Sequence, residues 1–228
     1  MRLWEASVEG NCLRLTHKSA DGEERYPGEV TADVVYELTE DNTLRVELSA
    51  VTTKPTPINL TNHSYFNLAG HDANTIYQHH VSIDADHYIP VDENLIPTGQ
   101  LSPVKDTVYD FRQPVELIER IHDVKGGGFD NSFSLNSPGM DKTSIKVTHA
   151  ESGRSLEVST GQPGVHFYTS NFVDGSALGK QGVYYQKHSG LCLETCNFPD
   201  AINQPNFPNA ILRPGEKYER TTIFKFSW

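Results

Sequence analysis

The sequence predicts an all-β, antiparallel fold that occupies residues 1–228 as a single domain. Three observations carry that reading. Apolar and polar residues alternate with a period of two in several windows, turn-forming residues separate those windows, and proline and glycine punctuate the chain without a repeat or linker to divide it. A chain of this length buries roughly 70–75% of the surface it exposes when unfolded, enough for one sizeable core.

The elements follow in order. In "NTLRVELSAV", Leu44, Val46, Leu48 and Ala50 alternate with polar residues, the pattern of a half-buried strand. This strand is expected to pair with "EVTADVVYEL" across the turn residues Thr39 to Asn42. "HHVSIDA" reads as a further strand. "QPVELIERI" (113–121) is the one window expected to be helical, with Pro114 suited to a first helical turn. A second hairpin is "TSIKVTHAESGRSLEVST", turning at Glu151-Ser152-Gly153-Arg154. "GVHFYTSNF", "SGLCLET" and "YERTTIFKFSW" complete the expected strands.

Composition narrows the function classes. Hydrophobic residues are 36% and charged residues 21% of the chain, as in a soluble globular domain. The formal charge of −11 argues against a nucleic-acid or anionic-membrane partner, since both require a basic patch. No apolar run reaches the roughly 18–20 residues of a membrane helix, and "MRLWEASVEG" lacks the basic start and apolar core of a signal peptide. With three cysteines and no disulfide framework, a cytoplasmic protein is expected.

Five stretches break the plain alternation. "NLTNHSYFNLAG" gathers His63, Tyr65 and several asparagines between apolar residues, so His63 is either a core histidine tied to a carbonyl or part of a sheltered pocket. Imidazole ordinarily titrates near 6.5 and can move a proton at physiological pH. "VDENLIPTGQL" is a turn-rich loop. In "GGGFDNSFSL", three glycines before Phe129 and Asp130 permit positive φ and close backbone approach. "GQPGVHFYTSNF" carries His166. In "LCLETC", Leu191 and Leu193 face one side of a strand while Cys192, Glu194 and Cys196 face the other. Glu194 is then either a solvated surface carboxylate or one facing a sheltered cavity, where desolvation would make it a better base.

Metal binding is not expected. Cys192 and Cys196, four residues apart along a strand, stand about 13 Å apart, beyond the roughly 7 Å a disulfide tolerates. His79, His80 and His87 alternate faces and lack a diagnostic ligand spacing. Tyr65, Phe129, Phe167 and Phe198 could line an apolar sugar-type floor or simply fill the core.

These stretches resemble, in order, the motifs of the galactose mutarotase (aldose 1-epimerase) family: "NLTNHSYFNLAG", "VDENLIPTG", "GFDNSFSL", "PGVHFYTSNF" and "KHSGLCLETCNFPDAINQPNFP…LRPGEKY". The likeness runs from "DGEERYPGEV" to the C-terminus. It implies an antiparallel β-supersandwich and interconversion of the α and β anomers of D-galactose and D-glucose, without metal or organic cofactor, by a monomer acting on a small hexose. Carried over by position, His63 matches the general acid and Glu194 the general base. Asp130 matches a residue that binds sugar hydroxyls, and Tyr65 lies in the "SYF" beside the pocket. The family usually carries Gln where this chain has His166, a change expected to shift substrate preference or pH profile. Family members also carry an N-terminal segment with an Arg and a His in an "HGG" run that hold the sugar. The resemblance implies that this chain is N-terminally truncated, begins just after that segment, and places Trp4 at an interior position. A sugar-binding homologue with impaired turnover is the alternative, whereas a sugar-phosphate epimerase would require arginines that these motifs lack.

Overall fold

The computed structural model describes residues 2–228; Met1 lies outside the described residues. In chain order the first strands are β1 (Glu5–Glu9), β2 (Cys12–Ser19), β3 (Val30–Leu38), β4 (Thr43–Thr52), β5 (Thr56–Pro57), β6 (Tyr65–Phe66), β7 (His79–Ile83), β8 (His87–Ile89) and β9 (Ser102–Pro103). They continue with β10 (Val115–Glu116), β11 (Asp130–Ser134), β12 (Ile145–His149), β13 (Ser155–Thr160), β14 (Gly164–Tyr168), β15 (Leu191–Cys196), β16 (Ile211–Leu212) and β17 (Tyr218–Ser227). A two-stranded sheet pairs β16 with β5, and the two larger sheets are a nine-stranded one, running β1-β2-β3-β4-β17-β13-β12-β7-β10, and a six-stranded one, running β6-β15-β14-β11-β8-β9.

Both sheets are antiparallel, and apolar side chains from each meet in one cluster. Val46, Leu48, Ala50, Ile145, Val147, Leu156, Val158 and Phe224 come from the larger sheet, and Phe133, Val165, Phe167, Leu191 and Leu193 from the smaller. Phe111 and Phe129 join them, with ring centroids 5.0 Å apart, and each lies within 6 Å of Phe167. Burying each such side chain contributes roughly 1.5–3 kcal/mol, so this aromatic group is a principal anchor of the smaller sheet.

Local chemistry accounts for the turns. β3 and β4 pair from Leu38↔Leu44, with Asn42 in the left-handed region at φ 62°, and β12 and β13 turn through Gly153 at φ 71°. The helix expected over 113–121 does not form. Val115 and Glu116 instead pair with β7, and only Leu117–Glu119 makes a single 3-10 turn. The Ile118 amide donates to the Tyr77 carbonyl, which draws the segment onto the sheet and away from its own ladder. β1 and β2 were not anticipated: β1 is exposed along its whole length and β2 has no fully buried residue, so neither shows a clean alternation. Trp4, expected inside, is 40% exposed and rests on His17 with ring centroids 5.1 Å apart.

One buried histidine ties the two layers. His79 accepts a hydrogen bond at Nε2 from the Leu68 amide (2.8 Å) and donates from Nδ1 to the Ile76 carbonyl (3.1 Å). Arg154 donates to the Leu68 carbonyl from the other side. This arrangement needs a neutral ring, because a second proton would set a donor against the Leu68 N–H. Burial, aided by neighbouring His149, pushes the His79 pKa down to about 4. The unfolded chain takes up that proton near 6.5, so the stabilisation is complete above that pH and drains away as pH falls from 6.5 towards 4, about 3 kcal/mol in all. Urea unfolding should therefore show a midpoint that drops between pH 7 and 4.5, and His79→Gln should flatten that dependence.

Candidate active site

Strand register builds the site. Across β11, β14 and β15, Ser132 stands opposite His166 and His166 opposite Glu194. One step along, Asp130 faces Tyr168, Tyr168 faces Cys192, and Cys192 faces Tyr65 of β6. Because strand side chains alternate, these two rows share one face while Phe133, Val165, Phe167, Leu191 and Leu193 fill the core behind. Gly126, Gly127 and Gly128 precede Asp130 with φ of 97°, 72° and 152°. A Cβ at Gly128 would collide with the Asn171 side chain and come within 2.8 Å of His188 Nε2, so this approach to β11 requires glycine.

Within the first row the Ser132 hydroxyl lies 2.8 Å from His166 Nδ1, and across to the second row His166 Nε2 lies 2.8 Å from Asp130 Oδ1. With Nε2–H donating to the carboxylate, Nδ1 is left to accept the serine proton, which fixes both ring orientation and tautomer.

His63 arrives from a different kind of structure. Residues 58–64 form no strand; polar side chains lash them to the end of β15. Asn59 donates to the Asn197 carbonyl (3.0 Å) and accepts from the Asn197 amide (2.9 Å), and Thr61 donates to the Thr195 carbonyl (2.9 Å). Asn62 donates to Tyr36 and accepts from the Ser64 amide. That is why the run is rich in asparagine. It is not the sheltered run expected, however, since the His63 side chain is 50% exposed. The loop lies along the rim of the sheet, where hydrogen bonds to β15 hold the backbone and leave the ring facing solvent.

The outcome is a close pair: His63 Nε2 lies 3.4 Å from Glu194 Oε1, whose side chain is only 12% exposed. The Tyr65 ring stacks on His63 with centroids 5.1 Å apart. Burial pushes the Glu194 carboxyl above its ordinary range; His166 and His63 oppose that shift and Asp130 adds to it. A small cavity of about 120 Å³ adjoins Asp130, Ser132 and His166, walled by Ile89, Val91, Leu95, Pro97 and Pro199. A larger cleft of about 820 Å³ borders Tyr65 and Phe66 but has neither His63 nor Glu194 in its wall.

All five residues singled out from the sequence thus converge on one face of β11–β14–β15 and its rim. Phe129, Phe167 and Phe198 do not; all three are buried as core. Ser132, Tyr168 and Cys192 also lie in the two rows, and the i, i+2 alternation of "DNSFS", "GVHFY" and "LCLET" would have placed them there. Among the described residues, His63, Cys192 and Glu194 are the group whose ligand atoms come within 4.8 Å of one another. No helix among those residues is long and apolar enough to cross a membrane.

Two antiparallel sheets around one core, with a polar row on the outer face of the smaller, define a galactose mutarotase-like β-supersandwich protein. Residues 2–225 match the aldose 1-epimerase family, and the chain belongs to that family. It is 53% identical over 225 residues to galactose mutarotase of Mus musculus and 52% identical to that of Homo sapiens, in each case over 99% of this chain and 66% of the relative. It is 37% identical to aldose 1-epimerase of Escherichia coli K12 over 91% of this chain and 62% of that protein. The chain thus spans somewhat less than two thirds of the length of these relatives. Among solved structures, the GalM/aldose epimerase homologue from C. elegans superposes with a TM-score of 0.90 at 30% identity, covering 98% of this chain and 68% of that one. Galactose 1-epimerase from Lactobacillus acidophilus superposes with a TM-score of 0.84 at 26% identity, over 98% and 65%.

Asn59 offers a test of how His63 is held. Asn59→Ala removes two hydrogen bonds and leaves the buried Asn197 backbone unpaired. Unfolding free energy in urea is expected to fall by about 1–3 kcal/mol, with the His63 imidazole resonances broadened in NMR spectra of the variant.

Proposed function

We propose that the chain is an aldose 1-epimerase that interconverts the α and β anomers of a hexose, D-galactose or D-glucose, by proton transfer between His63, Glu194 and the sugar. The observation that carries this reading is the pair itself, an imidazole nitrogen and a carboxylate oxygen 3.4 Å apart at the margin of a half-open face. The ring oxygen and the C1 hydroxyl of an aldose are bonded to the same carbon. A donor and an acceptor this close can therefore reach both oxygens from one side.

His63, as imidazolium, protonates the ring oxygen while Glu194, as carboxylate, takes the C1 hydroxyl proton. The ring opens to the aldehyde, the C1–C2 bond rotates, and the ring recloses on the other face with the two roles reversed. Asp130, whose Oδ1 is paired with His166, presents its remaining carboxylate oxygen to sugar hydroxyls. His166, held between Ser132 and Asp130, binds a sugar hydroxyl by exchanging one of those two partners for it, and Tyr65 gives the edge of the site an aromatic wall. No step calls on a metal or organic cofactor. The names carried by the mouse and human relatives support galactose as a substrate. The same reading takes the chain as a single domain, which the shared core of the two larger sheets supports.

Magnetisation-exchange NMR of D-galactose tests it. Purified chain should accelerate α-to-β exchange over buffer, and Glu194→Gln or His63→Asn should each lower the rate by about 10²–10⁴-fold. Since the base acts only when ionised and burial raises its pKa, the acid limb of kcat/KM should lie above pH 4.5, the ordinary glutamate value. Cooperatively folded protein that binds galactose without accelerating exchange would replace this reading with a sugar-binding homologue of impaired turnover.

A further inference from the structure

We propose that His63, Cys192 and Glu194 form a binding site for a borderline divalent cation, Zn²⁺ or Co²⁺, whose occupation excludes the sugar. The consequence for catalysis rests on the acid–base reading above; the binding itself does not.

The geometry comes first. The imidazole nitrogen, the Cys192 thiol sulfur and a Glu194 carboxylate oxygen all lie within 4.8 Å of one another. A tetrahedral zinc with bonds of about 2.0–2.3 Å sets its ligand atoms roughly 3.3–3.8 Å apart. The 3.4 Å between His63 Nε2 and Glu194 Oε1 already meets that spacing. Cys192 and Glu194 are alternate residues of β15, so the sheet fixes their separation and orientation on one face. His63 stands on the rim loop, and its half-exposed ring can close the remaining gap by side-chain rotation.

The donor chemistry selects the ion. A thiolate, an imidazole and a carboxylate suit zinc or cobalt, whereas magnesium and calcium take oxygen ligands. Three protein ligands leave the fourth position open towards solvent, for water or another small ligand. Cys192 is fully buried and unoxidised, and, unlike Cys12 with its contact to Asn11, it has no hydrogen-bond partner among the described residues. Nor does the Glu194 carboxylate receive a hydrogen bond from one; His63 is the partner facing it. Binding is balanced by loss of the thiol proton to solvent as the sulfur–metal bond forms. Two anionic ligands against a dication leave the occupied site neutral, which offsets the cost of ionising both groups in this sheltered place.

Occupation consumes both proton-transfer groups, so zinc and sugar compete. Binding is read directly by calorimetry with Zn²⁺ and by absorption with Co²⁺, in which a thiolate ligand gives a near-ultraviolet charge-transfer band. The intact, untagged chain should bind one equivalent and show the band. Cys192→Ser should lose the band and weaken Zn²⁺ at least 10-fold while unfolding cooperatively, and Cys12→Ser and Cys196→Ser should keep the band. Should Cys192→Ser fail to fold, Glu194→Gln supplies the same comparison through Zn²⁺ affinity. Absence of a band, or Zn²⁺ affinity indifferent to both Cys192→Ser and Glu194→Gln, overturns the site. Zinc held by these residues in a chain that does not accelerate anomer exchange would leave the site standing and refute the proposed activity. Anomer exchange that proceeds unchanged in saturating Zn²⁺, with no band, would do the reverse.

Discussion

The register of three strands is the constraint on which the rest depends. With Ser132 opposite His166 and His166 opposite Glu194, the polar groups these strands give to the candidate site fall on one face of β11–β14–β15, and Phe133, Val165, Phe167, Leu191 and Leu193 fall on the other. A slip of one residue would send Glu194 and His166 into the aromatic core and turn Phe167 and Leu193 outward. The energy that forbids this comes from the core, chiefly Phe111, Phe129, Phe133 and Phe167. The site inherits its precision from packing in which it takes no part.

A division of labour follows. Asp130, His166, Cys192 and Glu194 stand on paired backbone and have few ways to move. His63 stands on a loop held by side-chain bonds from Asn59, Thr61 and Asn62, each exchangeable with water and each modest in net strength. The pair thus joins a rigid, sheltered carboxylate to a more adaptable, solvent-facing imidazole. Shelter raises the affinity of Glu194 for a proton, and exposure keeps His63 in ready exchange with water.

How much could be read from the sequence depended on whether one face of a segment was buried. β4, with Val46, Leu48 and Ala50 inward, declared itself, as did the β12–β13 hairpin with its Gly153 turn. β1 and β2 were silent because solvent touches both their faces, so period two leaves no trace in composition. The segment 113–121 misled because Val115, Leu117 and Ile121 are buried by contact with β7 and the core, a tertiary effect that overrides a locally helical pattern. At the site, motif order located His63, Asp130, His166 and Glu194, while the exposure of His63 was invisible because it depends on which backbone groups the asparagines reach. Sequence spacing relates Cys192 to Cys196 alone; its neighbours in space, His63 and Glu194, come from the rim loop and the alternate position of β15.

The place of β17 has a consequence for how the molecule is made. It lies between β4 and β13 in the larger sheet, pairing Lys225 with Thr43 on one side and Ser227 with Ser155 on the other. It comes later in the chain than both strands it joins, so until it docks, β1-β2-β3-β4 and β13-β12-β7-β10 stand as two separate ribbons of the larger sheet, each with an open edge. Such distant pairing makes folding slow and leaves unpaired edges exposed in the meantime. The larger sheet becomes continuous only when β17 slides in between those ribbons as the keystone.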